Sequence, residues 1–158
     1  HIKNIVLNFL PSVLNYLNIN LEDTSQIVAG ASMGGLMSIK TSMMFPQFRN
    51  IISLSPAFWF GYPSVLNDVK NLSNESSTYL YTGKKEGHIF GDHVKKIFPN
   101  NWDLDFSNND NFYYSGVKNI KDSFDSNNKK VIFSLQDNGR HNETSWATAI
   151  LEILGQLI

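Results

Sequence analysis

The hexapeptide Gly30-Ala31-Ser32-Met33-Gly34-Gly35 follows directly on the apolar run Ile27-Val28-Ala29. This order predicts a strand, a sharp turn and a helix, with a serine at the apex of the turn. A serine hydroxyl is a weak nucleophile unless it is held clear of the backbone and beside a base. The Gly-x-Ser-x-Gly spacing meets the first condition. The apex residue must take a strained conformation, and Gly30 and Gly34 leave room for it. Gly35 lets the following helix lie close to the strand. The start of that helix turns peptide N–H groups towards Ser32, and the N–H of Met33 is placed to hold an oxyanion.

The rest of the chain alternates helical and extended patterns. From Ile2 to Leu17 apolar residues recur at three and four, the period of an amphipathic helix, with Pro11 inside it as a kink or a restart. Asn18 to Asp23 reads as an exit loop and Gln26 to Ala29 as a buried strand. A helix is expected from Gly34 to about Phe45, stopped by Pro46, then a strand from Asn50 to Leu54. Pro63 to about Leu72 reads as a short helix, Thr78 to Thr82 as a strand, and Gly87 to Phe98 as helical. Phe112 to Phe124 is again helical, Lys130 to Gln136 extended, and a final helix starts at Asn142 or Glu143, with Trp146, Ile150, Ile153, Leu154 and Leu157 along one side. Strands alternating with helices argue for an α/β fold with a mainly parallel sheet. The aromatic run Phe58-Trp59-Phe60 comes just past the end of a strand, where open parallel sheets bind ligands. Phe58 and Trp59 are therefore candidates for a substrate-binding wall, with core packing as the alternative.

Composition limits the partners. A chain of 158 residues suits a single domain that buries roughly two-thirds of its unfolded surface. A net charge of -1 gives no basic footprint for nucleic acid and no signature of a charged membrane surface. The absence of cysteine removes disulfides, thiolate metal sites and a cysteine nucleophile, and fits a reducing, cytoplasmic compartment. No run is long enough for a membrane span. His88 and His93 are spaced to scatter around a helix, and Asp103-Leu104-Asp105-Phe106-Ser107 lacks the glycine and the acid that a calcium loop needs. No metal is expected. Asn71, Asn74 and Asn142 each open an Asn-x-Ser/Thr triplet, and a glycan at Asn142 would obstruct His141, so all three are read as unmodified.

Nucleophilic chemistry at Ser32 needs a base and a group to orient it. Of the four histidines, His141 is best placed, in the turn after Asp137-Asn138-Gly139-Arg140, between the last strand and the last helix. The orienting acid belongs past the strand between nucleophile and base. There Tyr79-Leu80-Tyr81-Thr82-Gly83-Lys84-Lys85-Glu86 supplies Glu86, with Asp92 and Asp137 as alternatives. Asp137 better suits the turn itself.

Four stretches, Gly30-Ala31-Ser32-Met33-Gly34-Gly35, Ser55-Pro56-Ala57-Phe58-Trp59, Gly83-Lys84-Lys85-Glu86 and His141-Asn142-Glu143 with Trp146, carry a resemblance. The sequence resembles the later half of the esterase family of α/β-hydrolases that includes enterochelin esterase, feruloyl esterase and esterase-D-like enzymes. The resemblance implies a Ser32 nucleophile, a His141 base, Glu86 in the place of the triad acid and one oxyanion N–H from Met33. It implies hydrolysis of a small-molecule carboxylic ester through an acyl-enzyme, with no cofactor. Acyl transfer on the same residues, or a non-catalytic binding module that keeps the fold, are the alternatives. Relatives carry further strands ahead of the first helix seen here, and a loop among them offers the second oxyanion donor. Residues 1–158 are therefore expected to form a single α/β-hydrolase domain as the C-terminal part of a longer catalytic domain, with the elbow strand on an exposed edge. The sequence assigns no oligomeric state.

Overall fold

The computed structural model describes residues 1–20 and 26–157. Half of the predicted exit loop from Asn18 to Asp23 thus falls outside the described residues, as does the side chain of Leu157. Four parallel strands, β1 (Ile27–Ala31), β2 (Asn50–Leu54), β3 (Ser77–Gly83) and β4 (Lys130–Gln136), lie side by side in chain order. Their registers bring the C-terminal ends together: Ala31 pairs with Leu54, Leu54 with Tyr81, and Tyr81 with Ser134. Parallel neighbours need a crossover between them, and the three crossovers each contain a helix, α3 (Met33–Met44), α4 (Ser64–Lys70) and α5 (Asn109–Ser126).

Side chains alternate across a strand, so β2 and β3 feed two cores. On one face Ile51 and Leu80 pack with Leu36 and Ile39 of α3, Val65 and Val69 of α4, and Val117, Ile120 and Phe124 of α5. On the other, Ile52, Leu54, Tyr79 and Tyr81 pack with Ala149 and Ile153 of α6 (Glu143–Leu157). The fold is α/β with a parallel sheet between helices, as the alternating pattern predicts. Among the described residues β1 stands at one edge and β4 at the other.

Three local expectations need correction. The segment from Ile2 to Leu17 is helical but composite: α1 (Ile2–Asn4), a π-helical segment (Ile5–Phe9) and α2 (Leu10–Leu17). Pro11 sits in the first turn of α2, where the hydrogen-bond register is already changing, so its missing N–H is accommodated. Of this apolar stripe only Val6 is buried, while Ile5, Phe9 and Leu17 stay exposed. The stretch from Gly87 to Phe98 is not one helix. It forms two 3₁₀ turns, Gly87–Phe90 and Val94–Lys96, separated by Gly91 at φ 68, and the His93 side chain caps the second.

The third correction is Phe58, which is fully buried in the larger core and is no binding wall. The cause is Gly116 in the middle of α5. A β-carbon there would lie 2.1 Å from the tip of the Phe58 ring, so the glycine opens the slot that the ring fills. Phe58 also touches the rings of Phe112 and Tyr113 at 5.5 and 5.9 Å. Trp59 is partly exposed and Phe60 exposed. Burial of this kind predicts that Phe58→Ala lowers unfolding free energy by about 3–5 kcal/mol. Phe60→Ala changes it by no more than about 0.5 kcal/mol. Urea titration of the two variants checks the assignment, and equal effects would contradict it.

Candidate active site

Each strand delivers one polar side chain just past its C-terminal end: Ser32 after β1, Ser55 after β2, Glu86 after β3 and His141 after β4. Ser32 stands at φ 55 and ψ −121, a conformation that costs a residue with a β-carbon about 1–3 kcal/mol. The end of β2 holds it there. The Ser32 N–H donates to the Leu54 carbonyl at 2.9 Å, and the Ser32 carbonyl accepts from the Ala57 N–H at 2.9 Å. A β-carbon on Gly30 would lie 2.4 Å from the Gly34 carbonyl carbon, and one on Gly35 would lie 2.7 Å from the Leu54 oxygen. A β-carbon on Gly34 would meet nothing within 4 Å among the described residues. The crowding at this turn therefore falls on Gly30 and Gly35, not on the Gly30 and Gly34 pair that the spacing suggests. Ser32 precedes α3 yet its side chain makes no capping bond. Its hydroxyl is left for other partners.

The loops after β3 and β4 are knitted together by main chain. Lys84 N–H donates to the Gln136 carbonyl and Lys85 N–H to the Gly139 carbonyl, both at 3.0 Å. A β-carbon at Gly83 would lie 2.2 Å from the Gly139 oxygen, so the contact requires glycine. Outside, Lys84 pairs with Asp137 at 2.7 Å and Lys85 Nζ donates to Asn138 Oδ1 at 2.7 Å.

This contact brings three distant residues into line. His141 Nε2 lies 2.9 Å from Ser32 Oγ, and His141 Nδ1 lies 2.9 Å from Glu86 Oε2. Asp92 is exposed and faces Lys96 at 3.6 Å, and Asp137 faces Lys84, so neither alternative acid meets the imidazole. Glu86 has no exposed surface. Its Oε1 accepts from Gly83 N–H at 2.5 Å, Ser55 Oγ at 2.8 Å and Thr82 Oγ1 at 3.4 Å. The imidazole packs against two aromatic rings in T-shaped geometry, Tyr113 at 5.4 Å and Trp146 at 4.9 Å. Met33 heads α3, where an N–H has no intrahelical acceptor. Trp59 reaches the site at one remove, its ring 5.5 Å from that of Tyr113.

Three contributors were given no role at the site by the sequence: Ser55 and Trp146, named in the stretches that carry the resemblance, and Tyr113. Ser55 sits at φ 43. Its N–H donates to the Tyr81 carbonyl at 2.8 Å, and its carbonyl accepts from Tyr113 Oη at 2.6 Å. Its Oγ receives Trp146 Nε1–H at 2.9 Å. The available signal was the Ser55-Pro56 pair after a strand and a tryptophan five residues beyond His141. No periodicity says that an indole and a hydroxyl meet. Among the described residues no group of three or more His, Asp or Glu is placed to hold a metal ion, and no helix is long and apolar enough to cross a membrane.

Burial, and then the Glu86 charge, raise two tyrosines beside this carboxylate: Tyr113 is pushed well above the usual phenol range and Tyr81 up to about 12. Both phenols thus stay protonated donors.

The fold has solved counterparts. A ferulic acid esterase superposes with a TM-score of 0.70 at 12% identity, covering 96% of this chain and 58% of that one. The enterobactin esterase of Shigella flexneri, solved with 2,3-dihydroxy-N-benzoyl-glycine, gives 0.67 at 16% identity over 97% of this chain and 38% of that one. The chain carries part of an α/β-hydrolase fold. The capsule O-acetyltransferase of Neisseria meningitidis serogroup A, solved as a mutant with CoA, gives 0.58 at 12% identity, covering 96% and 64%. This chain spans less than two thirds of each of these three. By sequence alone, no family model and no curated protein matches it.

Raised phenol pKa values have a consequence for stability. In the unfolded chain Tyr81 ionises near pH 10, whereas in the fold it stays protonated up to about 12. The unfolded state therefore loses the proton first, and stability falls as pH rises through that window. Tyr81→Phe is expected to make the fall shallower, whatever it does to stability at neutral pH. Denaturant titrations at pH 9 and 11 measure the difference, and an unchanged slope would remove Tyr81 from the account.

Proposed function

We propose that the chain belongs to a serine carboxylic-ester hydrolase in which Ser32 is the nucleophile, His141 the general base and Glu86 the orienting acid. One observation carries this reading: a single imidazole lies within hydrogen-bond reach of the strained serine hydroxyl on one side and of a buried carboxylate on the other. His141 Nε2 takes the Ser32 proton as Oγ attacks the ester carbonyl, while its Nδ1–H stays on Glu86, which stabilises the imidazolium. The tetrahedral oxyanion is held by the Met33 N–H, and collapse passes the proton from Nε2 to the departing alcohol. Water then enters, gives a proton to His141 and attacks the acyl-enzyme, releasing the acid and restoring Ser32. In this reading the chain is part of one catalytic α/β domain, and the second oxyanion donor comes from the loop that the family resemblance places ahead of this stretch. Trp59, which is partly exposed and two ring contacts from His141, suits esters with an aromatic acyl group. The likeness to a ferulic acid esterase and an enterobactin esterase supports the same substrate class.

The fold it shares with an O-acetyltransferase favours one second reading, transfer of the acyl group from Ser32 to an alcohol instead of water. Hydrolysis and transfer are separated by adding a sugar or alcohol acceptor and looking for transacylated product.

A fluorophosphonate probe is expected to label the full-length protein at Ser32 and to leave Ser32→Ala unlabelled. Glu86→Gln, which breaks the pairing with Nδ1–H, lowers kcat on p-nitrophenyl acetate by about 10⁴-fold. Full-length folded protein that neither takes up the probe nor hydrolyses p-nitrophenyl or feruloyl esters would rule the reading out.

A further inference from the structure

The His141 imidazole engages only one oxygen of Glu86. The other oxygen sets the plane in which the carboxylate lies. Of its three donors, Gly83 N–H and Thr82 Oγ1 belong to the same strand and turn as Glu86 and travel with it. Ser55 does not: it comes from the end of the neighbouring strand β2 and ties the carboxylate to the strand beside the one that carries Ser32.

The direction of that bond is fixed by chemistry. An indole N–H can only donate, and an ionised carboxylate can only accept. Trp146 Nε1–H therefore fills an acceptor position on Ser55 Oγ, and the one Ser55 hydroxyl proton is left for Glu86 Oε1. Trp146 has two jobs in one ring, since it also packs against His141. The main chain at Ser55 is held at φ 43, where glycine would be the unstrained choice. Tyr113, with its hydroxyl on the Ser55 carbonyl, and the Tyr81 carbonyl on the Ser55 N–H keep it there. The hydroxyl is what a glycine would lack.

We propose that Ser55 is a positioning residue of the catalytic machinery: its proton, aimed by Trp146, holds Glu86 in the orientation that receives the Nδ1–H of His141. The proposal rests on the esterase reading given above, and it adds a fourth strand end to the site. Ser55 touches no reacting atom and acts only through Glu86.

Three variants of the full-length protein test it. Ser55→Gly deletes the hydroxyl and relieves the backbone strain, Ser55→Ala deletes the hydroxyl and keeps the strain, and Trp146→Phe deletes the N–H and leaves a smaller aromatic ring beside His141. A lost hydrogen bond to a charged group predicts that both Ser55 variants lower kcat on p-nitrophenyl acetate about 10- to 100-fold. KM stays within about twofold, because ground-state binding is untouched. Trp146→Phe lowers kcat by a smaller factor. In a Glu86→Gln background the Ser55 changes add nothing further. Independently of turnover, the low-field proton resonance of the His141 Nδ1–H, present in the parent protein and in Ser32→Ala, broadens in the Ser55 variants through faster solvent exchange. A merely structural serine predicts that Ser55→Gly keeps full kcat, or that its loss multiplies with that of Glu86→Gln. Either result overturns the proposal, and so does an unchanged resonance. If the Ser55 variants do not fold, Trp146→Phe decides, with unchanged kcat and resonance counting against. If the parent protein has no esterase turnover, the functional reading falls, and the resonance alone still decides whether Ser55 holds Glu86 against His141.

Discussion

A carboxylate with no exposed surface is the constraint around which this fold is arranged. Moving such a group out of water costs several kcal/mol unless its oxygens are met by donors. Glu86 receives donors on both oxygens, and they come from three strand ends: Gly83 and Thr82 on β3, Ser55 after β2 and His141 after β4. That requirement explains the parallel register. If β2 and β4 ended at different heights from β3, the hydroxyl and the imidazole would not reach the same carboxyl group. It also explains why the loops after β3 and β4 meet through glycine. Any side chain at Gly83 would push Gly139, and with it His141, away from Glu86.

Backbone strain is concentrated at the same rim. Among the described residues four non-glycines have positive φ: Asn18, Ser32, Ser55 and Asn128. Asparagine tolerates that region, and the two asparagines end helices, where it is the ordinary choice. The two serines have no such excuse, and they terminate adjacent strands. Each is clamped by main-chain bonds from a neighbouring segment, Ser32 through Leu54 and Ala57, Ser55 through Tyr81. Strain held in this way puts the hydroxyls where local propensity would not. The small core around Ile52, Leu54, Tyr79 and Tyr81, closed by α6, keeps the clamps rigid and carries Trp146 on the same helix.

The parts of this arrangement that were legible in the sequence are those governed by local rules. Glycine spacing marked the turn at Ser32. Apolar runs between turn residues marked all four strands, although β1 reaches two residues further, to Ala31. Chain order and the loop after each strand picked out Glu86 and His141 ahead of Asp92 and Asp137, and the geometry sets those two side chains against each other. What stayed hidden depends on side chains from distant segments. For Phe58 the sequence left binding wall and core packing both open, because its slot is made by Gly116, far along the chain. Ser55 and Trp146 show their pairing only once β2 and α6 are placed side by side. The stripe of the first helix had the right period, yet among its described residues only Val6 is buried, because amphipathicity specifies a face and not what covers it.

The surroundings of His141 bear on how it would act as the proposed base. Its ring is mostly covered, with Tyr113 and Trp146 packed against it and Glu86 and Ser32 on its two nitrogens. Covering the ring excludes water from the Nδ1 side, so the pairing with Glu86 is felt at a lower effective dielectric than at a surface. In the proposed mechanism a developing imidazolium would then be stabilised by a charge that solvent does not screen. The same rings hold the imidazole against rotation about its side-chain bonds, so the nitrogen facing Ser32 is not exchanged for the one facing Glu86. Tyr113 belongs to both halves of the device. Its ring packs on the His141 imidazole and its hydroxyl donates to the Ser55 carbonyl. Because burial and the Glu86 charge keep that phenol protonated, it remains a donor across the pH range in which a histidine base would work.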